Sequence, residues 1–260
     1  MLCSPGRDIL ELQTTPPHPN SNAMVGVRAG GASRTKLAES LGDLRGTVLF
    51  QLLDDFAGAS LVAPWVWSNW TPDWPPTEGN KGPARAQMEN ICTGFTAGSS
   101  GFDEDGHVNM VIQSSAPVED LNDPADPFSW HDLMEPGGPE MRRARRLDVW
   151  REGGVLKADA GFQDSGTTPS GGRRAVHEYR VHAEVDEQSG LLKQIKAIPL
   201  ILPFAECPGA VLQLHRLVGQ PVVELRSAVA VTLPGILGCT HLNDVVRSLA
   251  DVPTLARALV

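Results

Sequence analysis

Two cysteines, Cys207 and Cys239, stand in the sequence where a strand or loop gives way to a helix, in Ala205-Glu206-Cys207-Pro208-Gly209 and Gly238-Cys239-Thr240-His241-Leu242. A cysteine at a helix start meets unpaired N–H groups and the positive end of the helix dipole, which favour the thiolate. Each is therefore a candidate nucleophile or metal ligand, with His241 just beyond the second. Asp164 and His177 lie on alternating stretches that read as strands, both on the face that carries the apolar residues. Asp, His and Cys are the residue types that ligate zinc or iron. They are also the types used in Cys/His and His/Asp catalysis. His177 and Tyr179 share a strand face, as a general base beside a hydroxyl donor, whereas Glu178 points the other way. The bland alternative stays open: two small buried thiols, a satisfied core histidine and an aspartate capping a turn. Close-paired C-x-x-C spacing, G-x-S-x-G and H-E-x-x-H are all missing, so neither a zinc ribbon nor a standard esterase or zinc protease is indicated.

The elements that must position these residues occupy the last part of the chain. Leu147–Trp150, Leu156–Asp164, Arg174–Asp186 and Leu191–Leu200 predict a four-stranded antiparallel meander, with a hairpin turn at Glu152-Gly153-Gly154. Three helices are expected after it: from Pro208, with Cys207 as cap, to Gly219; from Val222 to Leu233; and from Thr240 to Ala250. Strands followed by helices predict an α+β fold with the helices packed on one face of a small sheet. Further upstream, Ser33 is placed to cap a short helix ending at Leu41. Gly46–Trp70 has the three- and four-residue spacings of a buried amphipathic helix, broken or kinked at Pro64. Asp54 and Asp55 within it diverge in direction and read as a solvated or capping pair. Residues 71–140 are rich in Pro, Gly, Asp and Ser and read as an ordered, loop-rich lid. The chain is expected to form one domain, with 1–70, 71–140 and 141–260 as its parts.

Four of the six tryptophans, Trp65, Trp67, Trp70 and Trp74, crowd into ten residues. With the loop they suggest an apolar pocket wall. Trp65, Trp67, Trp70 and Arg146 are the candidate substrate contacts. Arg142, Arg143, Arg145 and Arg146 suit a carboxylate or phosphate, or else form a solvated edge pairing with the acidic stretch 119–126. Glu206 reads as a first-turn charge complementing the dipole. The Gly/Ser-rich 93–101 stretch lacks the lysine and context of a phosphate loop.

The 260 residues, 41% hydrophobic and 20% charged, suffice for a sizeable core. A net charge of −9 argues against nucleic acid and anionic membranes as partners. No apolar run is long enough to span a bilayer, and the start, Met1–Arg7, does not read as a signal peptide. Four scattered cysteines give no disulfide framework, so a reducing cytoplasm is the expected setting. A small-molecule substrate is the expected partner, and self-association into a homo-oligomer stays open.

Met88–Phe95, Arg142–Trp150, His177-Glu178-Tyr179, Glu206-Cys207-Pro208 and Gly238–Leu242 together resemble domain-of-unknown-function family 2889 over roughly residues 45–255. The resemblance marks Cys92, Asp164, His177, Cys207, Cys239 and His241 as the polar features and implies no activity. It also implies an opening strand with an Arg-Arg-Thr-like sequence, absent here. At the level of fold, the expected arrangement is similar to iron–sulfur scaffold domains of the NifU type, which hold zinc or a cluster with three Cys and one Asp. Cys92, Cys207, Cys239 and Asp164 match that set by type. Three functions are thus carried forward. The first is an enzyme of lyase, isomerase or hydrolase type, acting on a small, largely apolar organic acid or acyl compound through His177, Tyr179, Cys239 and His241. The others are a metal or cluster carrier using Cys92, Asp164, Cys207 and Cys239, and a partner-binding subunit with a Trp-rich interface.

Overall fold

A computed structural model describes residues 1–71, 85–109, 114–118, 121–129 and 137–259. Trp74 and the acidic pair at 119–120 lie outside the described residues. The fold is α+β. Its centre is an antiparallel sheet of β4 (Met141–Glu152), β5 (Val155–Thr167), β6 (Arg173–Asp186) and β7 (Leu192–Ile201), preceded by the short β1 (Leu2–Cys3), β2 (Ile9–Glu11) and β3 (Ala116–Pro117). β4, β5 and β6 follow one another as hairpins. β7 and β3 lie along different stretches of the far edge of β6. The meander therefore forms as the alternation requires, but β4 starts earlier and β5 runs further than expected. The β4–β5 turn needs two consecutive residues with positive φ, which Gly153 and Gly154 supply at 59° and 80°.

The inner sheet face carries Leu156, Ala158, Ala160 and Phe162 from β5, and Tyr179, Val181, Ala183 and Val185 from β6. These pack on Leu214, Leu225, Val229, Leu242, Val245 and Val246 of the C-terminal helices, and the whole cluster is buried. A bulge in β6 pairs Asp164 with His177 but Ser165 with Ala175, leaving Val176 as the extra residue. Ala175 consequently drops off the face that His177 shares with Tyr179, contrary to strict alternation.

The helices are α1 (Gly31–Ser40), α2 (Val48–Trp70), α3 (Arg85–Met88), α4 (Leu225–Thr232), α5 (Thr240–Ser248) and α6 (Val252–Ala256). The segment expected as the first C-terminal helix is instead an 11-residue 3-10 helix, Cys207–Leu217. Cys207 is its first residue and Glu206 its cap. Ser33 lies inside α1 rather than before it, accepting from the Gly30 N–H at 3.0 Å. α2 runs through Pro64 to Trp70 without a break. Its Val62 and Val66 are buried on either side of the proline, which offsets the lost backbone hydrogen bond. Toward its start, Phe50 and Leu53 join a second apolar cluster with Ile9, Leu12, Met24, Leu37 and Leu41.

The polar side of α2 is the main departure from expectation. Asp54 and Asp55 are neither solvated nor capping. Asp54 receives Arg226 at 2.8 Å and Arg247 at 2.6 Å, and Asp55 receives Arg145 at 2.8 Å and Arg143 at 3.3 Å. Arg34 pairs with Asp244, and Arg226 also reaches Asp251 at 2.6 Å. Arg143 closes the network with two hydrogen bonds to Asp164, at 2.8 and 2.7 Å, and one to Asp244 at 2.7 Å. The adjacent aspartates do diverge, but into two sets of buried arginines. The arginine run likewise splits by strand alternation. Arg143 and Arg145 turn inward beside Leu147, while Arg146 faces out and pairs with Asp126 and Asp148.

This network generates two expectations. A methyl group at Gly58 would overlap Arg143 and Asp244. Gly58→Ala, which would stabilise an ordinary exposed helix, should here destabilise the protein by about 3 kcal/mol in denaturant melts. Burial alone would raise the Asp55 pKa, but the Arg145 charge and hydrogen bond, with Arg143, hold it at about 2. A depressed carboxylate stabilises the fold above its unfolded pKa, and that contribution is lost as pH falls through the folded one. Acid unfolding should thus show a stability loss of roughly 2 kcal/mol between about pH 4 and pH 2 that Asp55→Asn removes.

Candidate functional site

The inner face of the sheet delivers its polar residues in two successive rows, because residues two apart on a strand share a face. The first row is Asp164 on β5 opposite His177 on β6, and the second is Phe162 opposite Tyr179. α5 crosses both rows at its start. Cys239 is its N-cap and His241 lies two residues on. The four residues expected to be catalytic, His177, Tyr179, Cys239 and His241, are thereby brought together.

In the first row the His177 and His241 rings stack, with centroids 3.5 Å apart and planes 16° from parallel. His241 Nε2 lies 3.8 Å from Asp164 Oδ2. His177 Nδ1 and His241 Nε2 are buried and find no hydrogen-bond partner among the described residues. The ring edges nonetheless reach the surface, with 13% of the His241 side chain exposed. Burial, the adjacent His241 and the Arg143 charge hold His177 well below the usual imidazole range. Burial with Arg143 and Arg34 does the same to His241. Both rings are neutral at pH 7. Burial pushes Asp164 up to about 6 while Arg143 pulls the other way, so its carboxylate is charged at neutral pH. Among the described residues, Asp164, His177 and His241 form a cluster whose ligand atoms all lie within 4.8 Å of one another.

In the second row, Tyr179 is fully buried. Its hydroxyl faces the Cys239 thiol without closing a hydrogen bond of ordinary geometry. Burial and that thiol push the phenol far above its usual value. Cys207 and Cys92 reach the same place. The Cys207 Sγ lies 2.7 Å from where a side chain at Gly94 would begin, two residues past Cys92. The Thr93 N–H, with its hydroxyl, binds the Gly238 carbonyl at 2.8 and 2.9 Å, fixing the Cys92 loop against the start of α5. Glu206 is occupied as a tie: it accepts from the Ser100 N–H at 2.9 Å and hydroxyl at 2.7 Å.

The thiolates expected from helix-start positions do not form. Burial, with Cys239 nearby, raises Cys92 and Cys207 to about 12. Burial raises Cys239 too, against opposing contributions from Tyr179 and the Leu242 and His241 N–H groups. The reason is burial, which disfavours the charged form, with no cation among the described residues offsetting it. The proposed ligand set Cys92, Asp164, Cys207 and Cys239 is divided as well, with the thiols grouped around Tyr179 and Asp164 held by Arg143 in the histidine row.

The candidate substrate contacts do not gather at this site. Arg146 is on the opposite face of the sheet, where it lines a cavity of about 380 Å³ with Asp148, Asp159, Gln163, Glu178 and Arg180. Trp70 donates to the Thr167 carbonyl at 2.9 Å, Trp65 packs near Gly166, and Trp67 is 44% exposed. Sequence reasoning missed Arg143 as the clamp on Asp164, and missed Asp55 and Asp244 behind it. The available signal was the spacing of Arg143 and Arg145 from Leu147 and Val149, which places them on the inner face once β4 is read as starting at Met141.

These features define an α+β sheet-and-helix protein with a histidine–aspartate cluster where its inner sheet face meets a helix start. Residues 141–255 match the family described as "Protein of unknown function (DUF2889)". The match includes Asp164, His177, Tyr179, Cys207, Cys239 and His241. It excludes Cys92 and α2, which the wider resemblance had included. No curated protein and no solved structure matches the chain.

Thiols with a pKa near 12 are almost wholly protonated at pH 8. Alkylation of Cys92 and Cys207 in the native protein, followed by peptide mass spectrometry, should be at least about a hundredfold slower than in urea. Equal rates would show that the thiol cluster is open or ionised.

Proposed function

We propose that this protein is an enzyme of lyase, isomerase or hydrolase type that works by proton transfer at His177 and His241. The observation that carries the reading is the stacked pair of imidazoles whose buried nitrogens have no partner among the described residues, beside the Asp164 carboxylate. A packed structural histidine ordinarily satisfies its nitrogens. An imidazole kept in its base form through the physiological range can take a proton from a bound substrate, and the adjacent carboxylate steadies the resulting imidazolium. Arg143 holds Asp164 in position. Tyr179 and Cys239 supply neutral donors in the next row.

The substrate class this favours is a small, largely apolar organic acid or acyl compound, since Phe162 flanks His241 at 6.2 Å and the apolar core continues beyond it. The net charge of −9 supports a small molecule over nucleic acid, and the free cysteines support a reducing cytoplasm. No helix among the described residues is long and apolar enough to cross a membrane.

A second reading, carriage of a thiophilic metal without turnover, is favoured by the convergence of Cys92, Cys207 and Cys239 on Tyr179. The two readings separate by mutation. Against a panel of small acyl compounds and hydroxylated or unsaturated carboxylic acids, His177→Ala should lower kcat/KM by about 10²–10⁴ in protein with a native circular dichroism spectrum. Cys239→Ala should lower it as well. Unchanged turnover in both folded variants would sink the enzymatic reading.

A further inference from the structure

The geometry points to a metal site: we propose that Asp164, His177 and His241 bind one divalent transition-metal cation, zinc or ferrous iron by ligand type. The inference deepens the enzymatic reading and rests on it for the meaning of the ion's open positions. Two imidazoles and one carboxylate form a ligand set of three, which leaves coordination positions for water or substrate.

Three observations converge on this. His177 Nδ1 and His241 Nε2 are buried and without partners among the described residues, and leaving a buried polar atom unsatisfied is costly. A cation satisfies both at once, whereas two neutral imidazoles offer each other only stacking. The three ligand atoms already lie within 4.8 Å of one another, and ligands about 2.1 Å from a tetrahedral ion stand roughly 3.4 Å apart. Closing that difference requires the side chains to rotate. Rotation is needed in any case, because rings 16° from parallel cannot both aim in-plane lone pairs at one point. Lastly, Asp164 is fixed by an outer partner in the manner of a ligating carboxylate. Arg143 donates once to each of its oxygens and leaves each a further lone pair.

The thiol group is the rival location, and the test separates the two. The chelator-treated full-length chain is titrated with Co²⁺ by absorbance and with Zn²⁺ by calorimetry. The expected result is saturation at one equivalent, with the ligand-field bands of nitrogen and oxygen ligands. His177→Gln and His241→Gln should weaken binding at least about a hundredfold. The triple variant Cys92→Ser, Cys207→Ser, Cys239→Ser should leave it within a fewfold. Should a histidine variant fail to fold, the wild-type cobalt spectrum still decides, since sulfur ligands give an intense near-ultraviolet charge-transfer band and histidine does not. That band, undiminished binding in the histidine variants, or no saturable binding would overturn the proposal. Saturable binding without turnover keeps the site and removes the enzyme. Turnover without saturable binding does the opposite.

Discussion

The buried fork between Arg143 and Asp164 is the contact on which the rest of this structure depends. A guanidinium and a carboxylate removed from water are tolerated only when their remaining donors and acceptors are also satisfied. Arg143 meets that requirement by reaching Asp244 on α5 and Asp55 on α2 as well as Asp164 on β5. One side chain thus joins the sheet to both helices that cover its polar end. The same demand propagates outward, since Asp55 needs Arg145, Asp244 needs Arg34, and Asp54 needs Arg226 and Arg247. Five arginines and five aspartates, counting Asp251, balance without remainder.

That balance explains the state of the neighbouring site. Burial first, and then the positive charges that neutralise the aspartates, hold His177 and His241 below the usual imidazole range, and burial in the apolar core raises the thiols. The helix-start positions of Cys207 and Cys239 were a sound reason to expect thiolates. The N–H groups do act on Cys239, but desolvation is the larger effect.

Much of the fold was legible because it rests on local periodicity. The alternation in β5 and β6 set the meander and put Asp164 and His177 on one face, and the apolar spacing set α2 and α5. The cluster of His177, Tyr179, Cys239 and His241 followed from that placement. What escaped was non-local or rested on a register detail. Asp54 and Asp55 look solvated until one knows that five arginines from distant segments surround α2. The bulge at Val176 inverts a face without any glycine or proline to announce it. The 3-10 winding of Cys207–Leu217 keeps the length of the expected helix but changes which side chains align. Arg146 and the tryptophans carried chemistry by type alone, and nothing in their spacing fixed which surface they would join.

The family's boundaries at 141–255 cut across the ion network. Arg145 and Arg247 lie inside them, while the carboxylates that neutralise both, Asp55 and Asp54, belong to α2 outside. In this chain α2 therefore serves as a tethered counter-ion for the matched segment. Any relative that lacks such a helix must either replace those arginines or recruit acidic residues from another chain, so charge at the positions of Arg145 and Arg247 should vary together with what precedes the domain.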